Sequence, residues 1–454
     1  MGLPSVYETK PEDVSSVLKL DRNALPHEPQ VDKILNRYLS SLGGYLKDHA
    51  ARRRVPGAAV MVRKNQEIVH MNCYGYANLA TGEEVTPSTL FDLGSLSKQF
   101  TAVAALDLVV TGYLSLQDEL SQFFEDFPRY ADKVTVAELI HHLSAIPEYM
   151  DIYGASRTVN ENWYKDAMRT SDHWYPQMAK RNRQEITNRD VMQWIASQRL
   201  LPHEPNTQFE YSNSGYVVLA EVVAKVAKAR FATLVKERIF DPLEMNSSYV
   251  FDEASDFAED APEITNHAIC YNRLRHEGFV PVGYTPLNFV YGDGNVHSNI
   301  FDLAKWDSHL HSIDFTSLCS RPGWNETASK IREFFWSPIL TRGRKRIDYG
   351  AGWNLLRRKY EKTIEVNGKP VTRKYESHGE YHRGEWLGWR SYIARAARWI
   401  VPKAGGEIDP STWDSLGIIV ISNNNQFNPS RIAQEISQVF WGTLKKDNIM
   451  NSFG

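Results

Sequence analysis

Ser95-Leu96-Ser97-Lys98 sets a hydroxyl and an amine three residues apart. Three residues is nearly one helical turn, so on a helix the two side chains share a face. A serine hydroxyl is a poor nucleophile until a neighbour accepts its proton, and a lysine whose pKa is lowered by burial can do so. The same spacing recurs at Ser16-Val17-Leu18-Lys19, without the same setting. Ser95 follows Gly94 and heads the apolar run Q-F-T-A-V-A-A-L. Free N–H groups and the positive end of the dipole gather at a helix start, where an oxyanion is favoured. A serine there is also an ordinary cap. A lysine heading a buried helix, however, needs a reason to be there.

Two further elements carry chemistry-bearing side chains. Tyr211-Ser212-Asn213 stands just before a second apolar run, G-Y-V-V-L-A-E-V-V. A phenol beside an amine can relay a proton. An asparagine offers a donor and an acceptor, suited to holding Lys98 or a substrate carbonyl. Tyr76-Ala77-Asn78 repeats the spacing at the end of a hairpin, where Asn is a common turn residue. His382-Arg383-Gly384, followed by Glu385 and Trp386, lies in a strand-like stretch. Glycine inside a strand often marks close backbone approach. His276-Glu277-Gly278 and Ser377-His378-Gly379 offer other registers of the same pattern.

The elements that must position these groups follow from periodicity. Val31, Ile34, Leu35, Tyr38 and Leu42 predict a helix over about residues 31–50, broken by Pro56-Gly57. Two apolar runs around Lys64-Asn65-Gln66 predict a hairpin. A buried helix runs from about Ser97 to near Gly112. Helical segments dominate residues 115–295, strand signals return from about residue 345, and a last helix begins near Pro429. Strand-rich ends flanking a helix-rich middle predict an α+β fold. Its parts are an N-terminal arm at 1–30, a discontinuous α+β domain at 31–115 and 296–454, and a helical insertion at 116–295.

Bulk composition narrows the function. The chain has 454 residues, 12 Trp, 22 Tyr and a net charge of -3, enough apolar surface for a large core and too little basic excess for a dedicated nucleic-acid binder. Its three cysteines form no C-x-x-C and read as reduced thiols. There is no run of about 20 apolar residues to cross a membrane, and the N-terminus has neither a signal-peptide pattern nor, with Val6, a myristoylation motif. The expected compartment is the cytosol. No H-E-x-x-H or similar ligand cluster occurs, so neither metal nor cofactor is expected.

Taken in order, these segments resemble the serine β-lactamase-like superfamily of class C β-lactamases, penicillin-binding carboxypeptidases, D-aminopeptidases and related esterases. FDLGSLSKQFTA is similar to the family's nucleophile segment, PNTQFEYSNSGY to P-G-T-x-F-x-Y-S-N with Asn206 for Gly, and VTVAELIHHLSAIPEY to a segment ending T-S-G-L-P with Ala145 for Gly. YGDGNVHSN and DYGAGW also have counterparts, and the likeness spans about residues 30–445. His382-Arg383-Gly384 stands where β-lactamases have Lys-Thr-Gly, the form seen in D-aminopeptidases and esterases.

The resemblance implies a β-lactamase/transpeptidase-like fold, an antiparallel sheet flanked by helices with a mostly helical inserted domain. It also implies acyl transfer through a covalent Ser95 ester. Lys98 and Tyr211 together form the base, and which of the two takes the proton is open. Asn213 holds Lys98 and the substrate amide, and His382 orients Tyr211 or binds the substrate's tail. The amides of Ser95 and Glu385 hold the oxyanion, with Gly384 and Trp386 beside them against the substrate. Tyr149, Tyr153, Trp163 and Trp174 either line an acyl pocket or pack the insertion. The expected partner is a small ester or amide. The D-aminopeptidases' extra C-terminal barrels have no counterpart in this chain, which favours an esterase or amidase. Acyl transfer to an acceptor other than water, D-aminopeptidase or weak β-lactamase activity, and penicillin-type binding without turnover are the alternatives.

Overall fold

The structure is a computed structural model that describes residues 24–43, 54–65, 67–150, 186–252, 266–274, 278–282, 287–312, 338–366, 369–401 and 414–441. Its first helix, α1 (Pro29–Gly43), buries Val31, Ile34, Leu35, Leu39 and Leu42, the stripe that helical spacing predicts. The hairpin follows as β1 (Ala58–Lys64) and β2 (Glu67–Tyr74), antiparallel from Ala58 opposite Tyr74 to Lys64 opposite Glu67.

The buried helix is α2 (Ser97–Val110), preceded by a 3-10 turn at Gly94–Leu96 that carries Ser95. Polar side chains on this enclosed helix meet partners, as burial requires. Thr101 Oγ1 donates to Gly292 O at 2.7 Å, Gln99 Oε1 accepts from Trp306 at 2.9 Å, and Asp107 pairs with Arg238. Helix α3 (Val136–Ile140) is short and opened by a Thr135–Glu138 capping box. Then come α4 (Asn188–Ser197), α5 (Asn213–Ala227) and α6 (Ile300–Ser312). Ser212 caps α5, its Oγ accepting from the Gly215 amide at 2.9 Å.

The C-terminal strands are β3 (Asn354–Val366), β4 (Lys369–Trp386), β5 (Trp389–Ile400) and β6 (Asp414–Ser422), followed by α7 (Pro429–Trp441). They join β1 and β2 in one six-stranded antiparallel sheet of order β3-β4-β5-β6-β1-β2. The closing pair, β1 with β6 from Ala58 opposite Ser422 to Lys64 opposite Leu416, ties the two ends of the chain together.

Alternation along the strands divides two cores. Ala58, Val60 and Val62 face α1 and α7, with Leu416, Ile418 and Val420 beside them. Ala59, Met61, Ile419 and Ile421 face the larger core, which takes in α2 and α5. Arg63 Nε pairs with Asp307 at 2.6 Å, both buried, and docks α6 on this face. No helix among the described residues is long and apolar enough to cross a membrane.

Candidate active site

Gly94 and Gly384 set the floor of the site. Gly94 has φ +52, and a Cβ there would stand 2.9 Å from the Glu385 amide nitrogen. A Cβ on Gly384 would stand 1.9 Å from Leu93 O. The turn carrying Ser95 and the end of β4 therefore touch backbone to backbone, which only glycine permits. Ser391 Oγ donates to Leu93 O at 2.6 Å, and Gly94 N–H donates to Asp92 Oδ1 at 2.8 Å. Burial first, and Asp293 further, raise the Asp92 carboxyl to about 7, against the pull of that amide.

Lys98 lies in the first turn of α2, wholly buried. Its Nζ meets three oxygens: Ser95 Oγ at 3.1 Å, Asn213 Oδ1 at 2.7 Å and the main-chain oxygen of Asp293 at 2.9 Å. Three contacts saturate a primary amine. The Tyr211 ring centroid is 4.9 Å from the same nitrogen, and Tyr211 is 39% exposed. Ser95, Lys98, Tyr211 and Asn213 thus converge, brought from a turn, a helix head and the lead-in to α5.

His382 is placed differently. Its Nδ1 lies 2.7 Å from Arg383 O and its Nε2 3.1 Å from the Tyr349 hydroxyl. A carbonyl only accepts, so Nδ1 carries the proton and Tyr349 donates to Nε2. The Tyr211 ring centroid is 6.1 Å away. Burial, and then Lys98, push His382 down to about 3, so it is a neutral imidazole whose partner is Tyr349.

A cleft opens beside Ser95, lined among others by Tyr149, Met150, Asn213, Asp293, Glu385 and Trp386. Tyr149 thus stands in its wall, whereas Tyr153, Trp163 and Trp174 lie outside the described residues.

Four residues escaped the sequence reading. His142 accepts the Ser212 amide on Nδ1 at 3.1 Å, its carbonyl accepts the Glu210 amide at 3.0 Å, and its ring lies 4.3 Å from that of Tyr211. It grips the chain on both sides of Tyr211. Glu148 Oε2 accepts the Asn213 amide at 2.7 Å. Asp293 Oδ2 accepts from the Tyr149 hydroxyl at 3.1 Å, and Tyr349 holds His382. Each sits inside a segment whose pattern was visible. Their roles come from main-chain geometry that spacing does not encode.

The two glycine departures have a conformational meaning. Ala145 has φ +58 and Asn206 φ +59, both in the left-handed region where glycine costs least. Asn tolerates that region and Ala does not, so Ala145 carries the strain.

Elsewhere, His27, Asp32 and His70 bring possible metal donors within 4.8 Å of one another between α1 and β2. His70 Nδ1 accepts from the Glu28 amide at 3.0 Å, which puts its proton on Nε2, 2.9 Å from Tyr74 Oη. His70 therefore has no ring lone pair left for an ion.

Residues 42–439 match the family model described as Beta-lactamase. The chain belongs to the Beta-lactamase family. It is 28% identical over 346 residues to a penicillin-binding protein of Bacillus subtilis (strain 168), covering 74% of this chain and 64% of that one. It is 23% identical to a Beta-lactamase of Escherichia coli (strain K12), covering 89% of this chain and 91% of that one. The chain spans less than two thirds of the length of the first curated relatives it matches. Among solved structures, the octameric penicillin-binding protein homologue from Pyrococcus abyssi superposes with a TM-score of 0.59 at 24% identity, covering 91% of this chain and 77% of that one. The fold is therefore the β-lactamase/transpeptidase-like one, with its antiparallel sheet and flanking helices.

Proposed function

We propose that the chain is a serine hydrolase that cleaves small esters or amides through an acyl-Ser95 intermediate. The observation that carries this is the Lys98 nitrogen, 3.1 Å from Ser95 Oγ and anchored on Asn213 and Asp293. As the free amine, Lys98 donates to Asn213 Oδ1 and Asp293 O and keeps its lone pair for the Ser95 proton. Tyr211, its ring centroid 4.9 Å from the same nitrogen, is the second member of the proton-transferring pair. Oγ bonds to the substrate carbonyl carbon, and the carbonyl oxygen takes the negative charge. The amides of Ser95 and Glu385 hold that oxyanion, and such donors contribute about 3 kcal/mol each. Collapse expels the leaving group, which takes the proton. Water then repeats the sequence on the acyl-serine, releasing acid and restoring the serine hydroxyl.

Family membership supports the reading, as does the preserved order of the three motifs. His382 enters as a positioning residue, neutral and pinned by Tyr349, rather than as a proton carrier. The α+β body at 31–115 and 296–454 supplies Ser95, Lys98 and the oxyanion amides. The insertion at 116–295 supplies Tyr211, Asn213 and the Asp293 carbonyl.

A fluorophosphonate probe followed by mass mapping tests the centre of the proposal. The expected adduct is on Ser95, and Ser95→Ala abolishes turnover of a p-nitrophenyl ester. No adduct at Ser95, together with undiminished turnover in Ser95→Ala, would end the hydrolase reading.

A further inference from the structure

Strands β3 and β4 run on past the body of the sheet. They pair without a break from Asn354 opposite Tyr381 to Val366 opposite Lys369, whereas β5 pairs with β4 only as far as Ile400 opposite Tyr375. Residues 361–366 and 369–374 therefore form a two-stranded arm, about 20 Å long at the rise of a β-strand. The arm stands at the end of β4 remote from Glu385 and its contact with Gly94.

Opposed residues of an antiparallel pair share a face, and successive residues alternate between faces. The register sets Arg358, Lys362, Lys369 and Arg373 on one face, among Tyr360, Ile364, Val371 and Tyr375. No Asp or Glu shares that face between Arg358 and Tyr375. The other face sets Arg357, Lys359 and Lys374 against Glu361, Glu365 and Glu376. There Lys359 pairs with Glu376 at 3.8 Å and Lys374 with Glu361 at 3.6 Å. A chain of net charge -3 thus gathers positive charge on one side of a projecting ribbon.

Lys369 is exposed, and Val371, between it and Arg373, is 38% exposed. Lysines on a strand discourage pairing with another chain, but cations on either face meet that need. It does not account for the sorting of the acids to one side, nor for an exposed valine among the cations. An anionic bilayer receives both kinds of side chain, the cations at its headgroups and the aliphatic and tyrosine groups at the boundary below them. A nucleic-acid backbone takes the charges and leaves the aliphatic groups in water.

We propose that the cationic face of this arm docks the protein on an anionic phospholipid surface. The contact is peripheral and needs no spanning segment. It is separate from Ser95 and stands or falls independently of the hydrolase reading.

Cosedimentation of the full chain with vesicles tests this, comparing phosphatidylcholine alone with phosphatidylcholine mixed with phosphatidylserine. The protein is expected to pellet with the mixed vesicles at near-physiological ionic strength, to stay in solution with the neutral ones, and to be released by added salt. Two pairs of substitutions remove equal charge from the two faces. Lys369→Gln with Arg373→Gln is expected to weaken binding about tenfold or more, and Lys359→Gln with Lys374→Gln by less than about threefold. No binding to the mixed vesicles, or equal binding to both kinds, overturns the inference without any variant. Equal losses from the two pairs trace the binding to net charge rather than to this face, and overturn it too. So does retention of a labelled single-stranded RNA by a protein that ignores the vesicles.

Discussion

In the proposed mechanism the proton path out of Ser95 depends on two side chains fixed by different means. Lys98 is held by three oxygens around its nitrogen, Tyr211 by the ring of His142 and the amides on either side of it. Lys98→Ala and Tyr211→Phe are each expected to lower kcat by about 100-fold or more, the scale of general acid–base groups. Near-normal rates in either variant, measured on a p-nitrophenyl ester, would reassign the base. His142 acts through Tyr211, so its variants should separate by hydrogen bonding. His142→Asn keeps an acceptor near the Nδ1 position and tolerates the φ of +58 found there. His142→Leu keeps neither. We expect Leu to cost about tenfold in kcat with little change in KM, and Asn to recover most of it; equal losses in the two variants would make the ring a packing element only. Ser95, Lys98 and Asn213 were legible in the sequence because their spacing and helix-head setting are local. His142, Glu148, Tyr349 and Asp293 were not, because each acts on a residue distant in sequence.

At the scale of elements, the site is a meeting of two turns. The turn at Gly94 and the end of β4 approach so closely that neither admits a Cβ. Gly384→Ala must push β4 away from Leu93 and carry the Glu385 amide with it. The expected result is a loss of about 2–3 kcal/mol of oxyanion stabilisation, seen as at least a 30-fold fall in kcat while substrate binding changes less. Normal kcat in the Gly384→Ala variant would show that this amide is not the donor. The turn after α3 offers a gain instead. Ala145 is left-handed at a cost of about 1–2 kcal/mol, partly offset by the greater freedom of an unfolded glycine. Ala145→Gly is expected to stabilise by about 0.5–1 kcal/mol in urea unfolding, and a destabilised variant would contradict the strain. Periodicity exposed the helices and the N-terminal hairpin, since their buried faces repeat. It missed strands of two to four residues such as Tyr249–Val250 and Tyr271–Leu274, too short to show an alternation.

For the molecule as a whole, the sheet could be anticipated because strand-like runs cluster at both ends of the chain, but its closure through β1 and β6 rests on pairings hundreds of residues apart. The same compact burial fixes how stability depends on pH. Burial pushes His70, His141 and His267 to about 4 and His382 to about 3, from an ordinary 6.5. Between those values the unfolded chain binds protons that the folded chain refuses, so this stability is present above about pH 6.5 and is lost as pH falls. Two carboxyls work the other way. Asp92 is raised to about 7 and Glu380 to about 6, so the folded state binds their protons more tightly, and their contribution grows as pH falls toward the ordinary carboxylate range. Burial also lowers His142, His297 and His378 and raises Glu138, Glu148 and Asp293, so seven imidazoles stand against five carboxyls through the window from about 6.5 to about 4.5, where one net proton is worth about 1.4 kcal/mol per pH unit. Unfolding free energy is therefore expected to fall by roughly 1–3 kcal/mol per unit on acidification through that window, measured by calorimetry across a buffer series at constant ionic strength. A curve that is flat or rising there would mean that these imidazoles are protonated in the folded protein.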